Sequence, residues 1–192
     1  MMIRQLGISV RMTVVSVILL GLLYPLAMTG VAQAIFPRQA GGSLVERSGT
    51  VVGSEFIGQR WTKPQYFHGR PSAAGKNGYD PTATGGTNLG PSSKKLIDAT
   101  AAAIAALKKE NPRADRPIPM DLVTSSASGI DPDISPDAAY YQAPRVAAAR
   151  NLDVATVNAL IAAHIQGRPF GILGEPRVNV LDLNLALDAM RS

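Results

Sequence analysis

The stretch DLVTSSASGIDPDIS, residues 121–135, holds four serines, one threonine and three aspartates, the densest set of chemically capable side chains in the sequence. A serine nucleophile needs a base and a strained turn, yet no G-x-S-x-G elbow surrounds Ser125, Ser126 or Ser128. The two histidines, His68 and His164, lie far from it along the chain, so a triad would have to be assembled by the fold. Asp131 and Asp133 resemble the start of a calcium loop, but Pro132 intervenes and the later glycine and glutamate are missing. Gly85, Gly86 and Gly90 precede no GK[ST], which excludes a phosphate loop. The residue types suit turns and caps instead. Short hydroxyls bond nearby backbone, Gly129 permits positive φ, and Ser135 precedes Pro136-Asp137 as a helix N-cap. No catalytic residue, metal site or cofactor of its own is expected.

Composition narrows the classes further. The chain has 192 residues, enough for one domain with an appendage, and no cysteine, which removes disulfides, thiol catalysis and thiolate metal sites. The two histidines have no ligand-like spacing. The net charge of +5 comes from basic residues scattered singly, and aromatics make up only 5% of the chain, so no nucleic-acid footprint is expected.

The strongest patterning lies near the N-terminus. Between Arg11 and Arg38 no residue is charged, and residues 12–36 read as one transmembrane helix. A cleaved leader is the competing reading, with Ala32-Gln33-Ala34 as a cleavage-like site; the apolar run exceeds the roughly 7–15 residues usual for a leader, which favours an anchor. Tyr24-Pro25 in mid-span is tolerable where neighbouring backbone re-satisfies a kink. Arg4 and Arg11 precede the span, so residues 1–11 are expected inside the cell and residues 37–192 outside it, as an extracytoplasmic domain.

The remainder reads as one mixed α/β domain, giving an α+β chain on a single membrane helix. Ser48 to Ile57 has the alternation of a strand or hairpin. Gly58 to Pro91 is a long Gly, Pro, Asn, Ser and Thr-rich loop, of the kind that commonly binds. Ser92 or Ser93 caps a helix with the apolar stripe Leu96, Ile97, Ile104 and Leu107, ended by Asn111-Pro112. Pro144 is expected to split the next helix before RVAAAR. Asp153 caps a helix through His164, striped by Val154, Val157, Leu160, Ile161 and Ile165, with Gly167 as its stop. The tail VNVLDLNLALDAM reads as a short strand running into a helix capped by Asn179.

In order along the chain stand GSEFIGQRW, YFHGRPSA, GGTNLGPSS, PMDLVTSSASGIDPDIS, YQAPRVAAAR and GEPRVNVLDLNLALD. Together they resemble the C subunit of the Kdp potassium-transporting P-type ATPase, the KdpC family. Asp133 stands where that family usually has histidine, and Ala127 where it usually has glycine. The resemblance implies a non-catalytic accessory subunit in a bacterial inner-membrane potassium uptake complex. Its partners would be the bilayer, the ion-translocating A subunit, the ATP-hydrolysing B subunit and the small F subunit, with ATP handled through the complex. The family role is to assist assembly and to raise the affinity for ATP. A nucleotide contact proposed for the family falls here on Gln142, which the expected topology puts outside the cytoplasm, where a capping or interface amide is the favoured reading. Consistently, the chain has no DKTG phosphorylation motif. Partner contacts are expected from Trp61, Tyr66, Phe67, Arg70 and Asn88, since aromatic rings and arginines anchor interfaces; the alternative is that the rings cover the domain core. The competing function is a membrane-anchored extracytoplasmic hydrolase or binding protein.

Overall fold

The computed structural model describes residues 2–190 and divides them into two compact units, with the boundary between Val51 and Val52.

The first unit is dominated by a helix of 34 residues, Met2–Ile35, none of it buried, whose most apolar 18-residue window has a mean hydropathy of 2.2. It is the one helix among the described residues long and apolar enough to cross a membrane, and it begins well before Met12. It runs as α1 (Met2–Ser16), a wider π-helical stretch (Val17–Leu23) and α2 (Tyr24–Ile35). The wide turns end where Pro25 needs them. Proline has no N–H and its ring crowds the carbonyl four residues back, so a locally wider helix makes room. Accordingly the Tyr24 N–H bonds Leu19 O, five residues back. A short turn of helix, α3 (Pro37–Ala40), leads into strand β1 (Leu44–Arg47), and the positive-φ pair Ser48-Gly49 reverses the chain into β2 (Thr50–Ser54).

The second unit is built from four helices and a small sheet: α4 (Lys94–Glu110), β3 (Asp133–Ile134), α5 (Pro136–Arg150), α6 (Val154–His164), β4 (Ile165–Gln166), β5 (Arg177–Asn179) and α7 (Val180–Ala189). The sheet order is β3-β5-β4, antiparallel throughout, with Val178 opposite both Ile134 and Ile165. The caps fall where side-chain oxygens are available. Ser135 accepts from Ala138 N, Asp153 from Ala155 N and Asn179 from Asp182 N, each satisfying an orphan donor of a first turn. The tail is thus a short strand entering a helix, as its pattern predicts. The core gathers Phe67, Leu122, Val146, Val157, Ile161, Val178, Leu183 and Leu187 around α5.

The structure corrects the expectation for Pro144: α5 continues through it to Arg150. The missing N–H disrupts one turn, but Tyr141 and Ala143 before it and Val146 and Ala147 after it are all buried. Breaking the helix would expose that packing, which outweighs the roughly 3 kcal/mol an internal proline typically costs. The expected cap of α4 is Ser93, although its side chain makes no capping bond.

Candidate functional site

Residues 64–68, Pro-Gln-Tyr-Phe-His, belong to no strand, yet each of their five carbonyls is held by a side chain from a helix. The Arg145 guanidinium donates to Pro64 O and Tyr66 O, and Arg150 Nε to Gln65 O. Asn184 embraces Phe67, accepting from its N–H at 2.8 Å and donating to its carbonyl at 3.0 Å. Gln142 embraces His68 in the same way, at 2.8 and 3.1 Å. These amides act as a sheet neighbour would, meeting the obligatory donors and acceptors of an irregular segment.

The holders are placed by helical spacing. Gln142 and Arg145 lie three apart on one face of α5, and Arg150 reaches from its last turn to Leu187 O and Asp188 on α7. Gln142 is 1% exposed and Asn184 0%. The second acceptor position of Gln142 takes Arg145 Nη2 at 2.7 Å, and its second donor goes to Ala138 O. With two donors and two acceptors all engaged, the amide has no hydrogen-bonding capacity to spare. Arg145 Nε finishes on Asn111 Oδ1 at the end of α4. Burial pushes the Arg145 guanidinium downward from its usual range, and Glu110 opposes that shift.

Beside the clamp, the His68 ring touches Lys63 O through Nε2 at 3.1 Å and the Glu110 carboxylate through Nδ1 at 3.0 Å. Both partners are acceptors, so each ring nitrogen of His68 faces an oxygen. The hydrogen bond from His68 holds Glu110 below the usual glutamate range; the charges of His68 and Arg145 add to this and burial opposes it.

The long loop is packed rather than free. It rests on the serine-rich segment at three points, with Gly58 N on Ile130 O, Gly85 N on Ser128 O and Ser72 Oγ on Gly129 O. Gly129 has a φ of 71°, and a Cβ there would meet Ala74 Cβ at 2.7 Å, so no other residue fits. Arg70 pairs with Asp131 at 3.0 Å. Burial pushes the Tyr79 hydroxyl up to about 12, with Asp131 adding and Arg70 opposing. A cavity of about 350 Å³ opens here, lined by Arg60, Trp61, Arg70, Lys76 and Tyr79.

The serines do local work. Ser126 Oγ accepts from Gly129 N and Ser128 Oγ from Ile130 N, while Asp131 takes Asp133 N and Asp121 holds Ser135. His164 Nδ1 is engaged by Leu160 O. Among the described residues no cluster of three His, Asp or Glu suits a metal ion.

Of the residues expected at an interface, Phe67 is fully buried in the core. Tyr66 and Trp61 are half-buried and stack at 4.7 Å, with Arg150 over the Tyr66 ring at 4.9 Å. Arg70 is half-buried, and Asn88 is exposed with a φ of 51°. Sequence reasoning missed Arg145, Arg150 and Asn184. A signal existed: arginines among alanines in YQAPRVAAAR, and an asparagine inside a leucine run, are polar groups set where apolar neighbours pack tightly.

Comparison with known proteins bears on this architecture as a whole. The family model described as "KdpC: K+-transporting ATPase, c chain" matches residues 6–189. The potassium-transporting ATPase KdpC subunit of Acidobacterium capsulatum is 56% identical over 187 residues, covering 97% of this chain and 99% of that protein. The subunit of the same description from Variovorax paradoxus is 57% identical over 171 residues, 89% of each chain. That of Myxococcus xanthus is 55% identical over 181 residues, 94% of this chain and 85% of its own.

Proposed function

Since the chain belongs to the KdpC family of K+-transporting ATPase c chains, we propose that it is a non-catalytic, membrane-anchored accessory subunit whose extracytoplasmic domain assists assembly of a potassium uptake complex. On this reading the partners are the ion-translocating A, ATP-hydrolysing B and small F subunits, the membrane is the bacterial inner membrane, and the N-terminus is cytoplasmic. The charge bias of Arg4 and Arg11 supports that orientation. The long helix Met2–Ile35 supports the anchor.

One observation carries the mechanistic part of the proposal: Gln142 has all four of its hydrogen-bonding positions engaged inside the domain. On this reading the influence on ATP use is indirect, passing through the shape of the clamped segment and the face it presents. Trp61, Tyr66 and Arg70 are the contact residues proposed on that face, with Asn88 on the neighbouring loop. The hydrolase alternative has no support in the geometry, since the Ser126 and Ser128 hydroxyls bond turn backbone and both histidine rings are engaged elsewhere.

Asn184 supplies the control, because it holds Phe67 just as Gln142 holds His68. In the whole complex, Gln142→Ala and Asn184→Ala should alter the half-saturating ATP concentration by similar factors, within a few-fold of each other. A shift of tenfold or more for Gln142→Ala, with Asn184→Ala at the native value, would establish direct nucleotide contact and overturn the proposal.

A further inference from the structure

The connection between β4 and β5 ends in a wholly apolar tip. Phe170 is 91% exposed, Ile172 78% and Leu173 55%. Nothing in the fold accounts for Phe170. Its ring packs against little, and its backbone sits at φ 54°, a region that disfavours a side chain. Strain at a residue that adds so little to the core points to a use outside it. We propose that this tip, Phe170 to Leu173, inserts into the surface of the lipid bilayer in which the chain is anchored.

Three features favour lipid over a protein pocket. The tip carries no side-chain donor or acceptor between Pro169 and Gly174, whereas protein interfaces are anchored mainly by Trp, Tyr and Arg. Three of its backbone donors are met locally, which lowers the cost of an apolar medium: Gly171 N bonds Arg168 O, and Ile172 N and Leu173 N bond Pro169 O. At the base Arg168 pairs with Glu175, so the collar at headgroup level is neutral. The inference rests on the anchoring proposed above. A span within the same chain keeps the domain beside a bilayer, so even a weakly inserting loop is held at high effective concentration. With a neutral collar, insertion should depend little on salt or anionic lipid.

The absence of cysteine makes unique labelling direct. The full chain, carrying Ile172→Cys, Leu20→Cys in the long helix or Lys95→Cys on the exposed face of α4, would be nitroxide-labelled in phosphatidylcholine nanodiscs. Collisions with oxygen, which concentrates in lipid, are then compared with those of a water-soluble nickel chelate. The expected result is oxygen dominance at 20 and 172 and nickel dominance at 95. A second Phe170→Ser change should move position 172 toward water, since burial of each such side chain is worth about tenfold in partitioning. Oxygen dominance at 20 with nickel dominance at 172 overturns the inference alone. Nickel dominance at 20 overturns the anchoring reading and this inference with it. The label at 172 should behave alike in the assembled complex; shielding there from both reagents would assign the tip to a partner's pocket and overturn lipid insertion.

Discussion

Helices α4 and α5 invert what their sequences advertise. The 17 residues of α4 repeat apolar side chains at helical spacing, yet none is buried, and Ile97 is 56% exposed. The 15 residues of α5 have weak amphipathic patterning, an internal proline and two arginines, yet nine are buried. A stripe reports burial on one side only; a helix surrounded by the fold has no polar side to reveal it. The buried polar groups of α5 are there because an irregular segment packs against it. Residues 64–68 bring backbone donors and acceptors into the core, and Gln142 and Arg145 answer them. In this domain α5 holds residues 64–68 in place, while α4 docks through its last turn, by Leu107, Glu110 and Asn111.

That contrast predicts unequal effects of mutation. Arg145→Met should destabilise the full chain by about 3 kcal/mol or more, because removing one member of a buried charged network leaves its partners unpaired. Urea unfolding in mild detergent measures it, and a loss below about 1 kcal/mol would remove α5 from the centre of the account.

The attachment of α4 should depend on acid. Glu110 is held below its usual value of 4.5, so its contribution is fully present above that pH and is lost as pH falls through the lower, folded value. The protection factor of the Asn111 amide, whose N–H bonds Leu107 O, should fall over that acid range once the intrinsic pH dependence of exchange is divided out. His68→Gln should flatten the dependence, since the neutral amide brings no charge to Glu110. An unchanged profile in His68→Gln would separate the ion pair from the docking of α4.

At the small end, Ile97→Ala should cost less than about 0.5 kcal/mol, as exposed substitutions do. A loss equal to that of Arg145→Met would mean that α4 packs through its whole stripe.

Much of the fold was legible before any coordinates. The charge-free run marked the long helix, Asn111-Pro112 marked the end of α4, and Ser135, Asp153 and Asn179 announced three helix starts through capping chemistry that acts locally. The turn role of Ser126 and Ser128 was legible for the same reason. What escaped depends on distant neighbours. Strands of two or three residues, such as β3 and β4, are too short to show alternation. Pro144 reads as a breaker until the packing on both sides of it is known. The clamp joins positions more than 70 residues apart, and single-sequence spacing cannot register a pairing such as Gln142 with His68.

The most direct test of the account is hydrogen exchange at the amides of Phe67 and His68 in the full chain. Although they lie in no strand, both should be protected as strongly as core helical amides, and Gln142→Ala should release His68 while leaving Phe67 held by Asn184. Exchange of both at the rate of exposed loop amides in the native chain would contradict it.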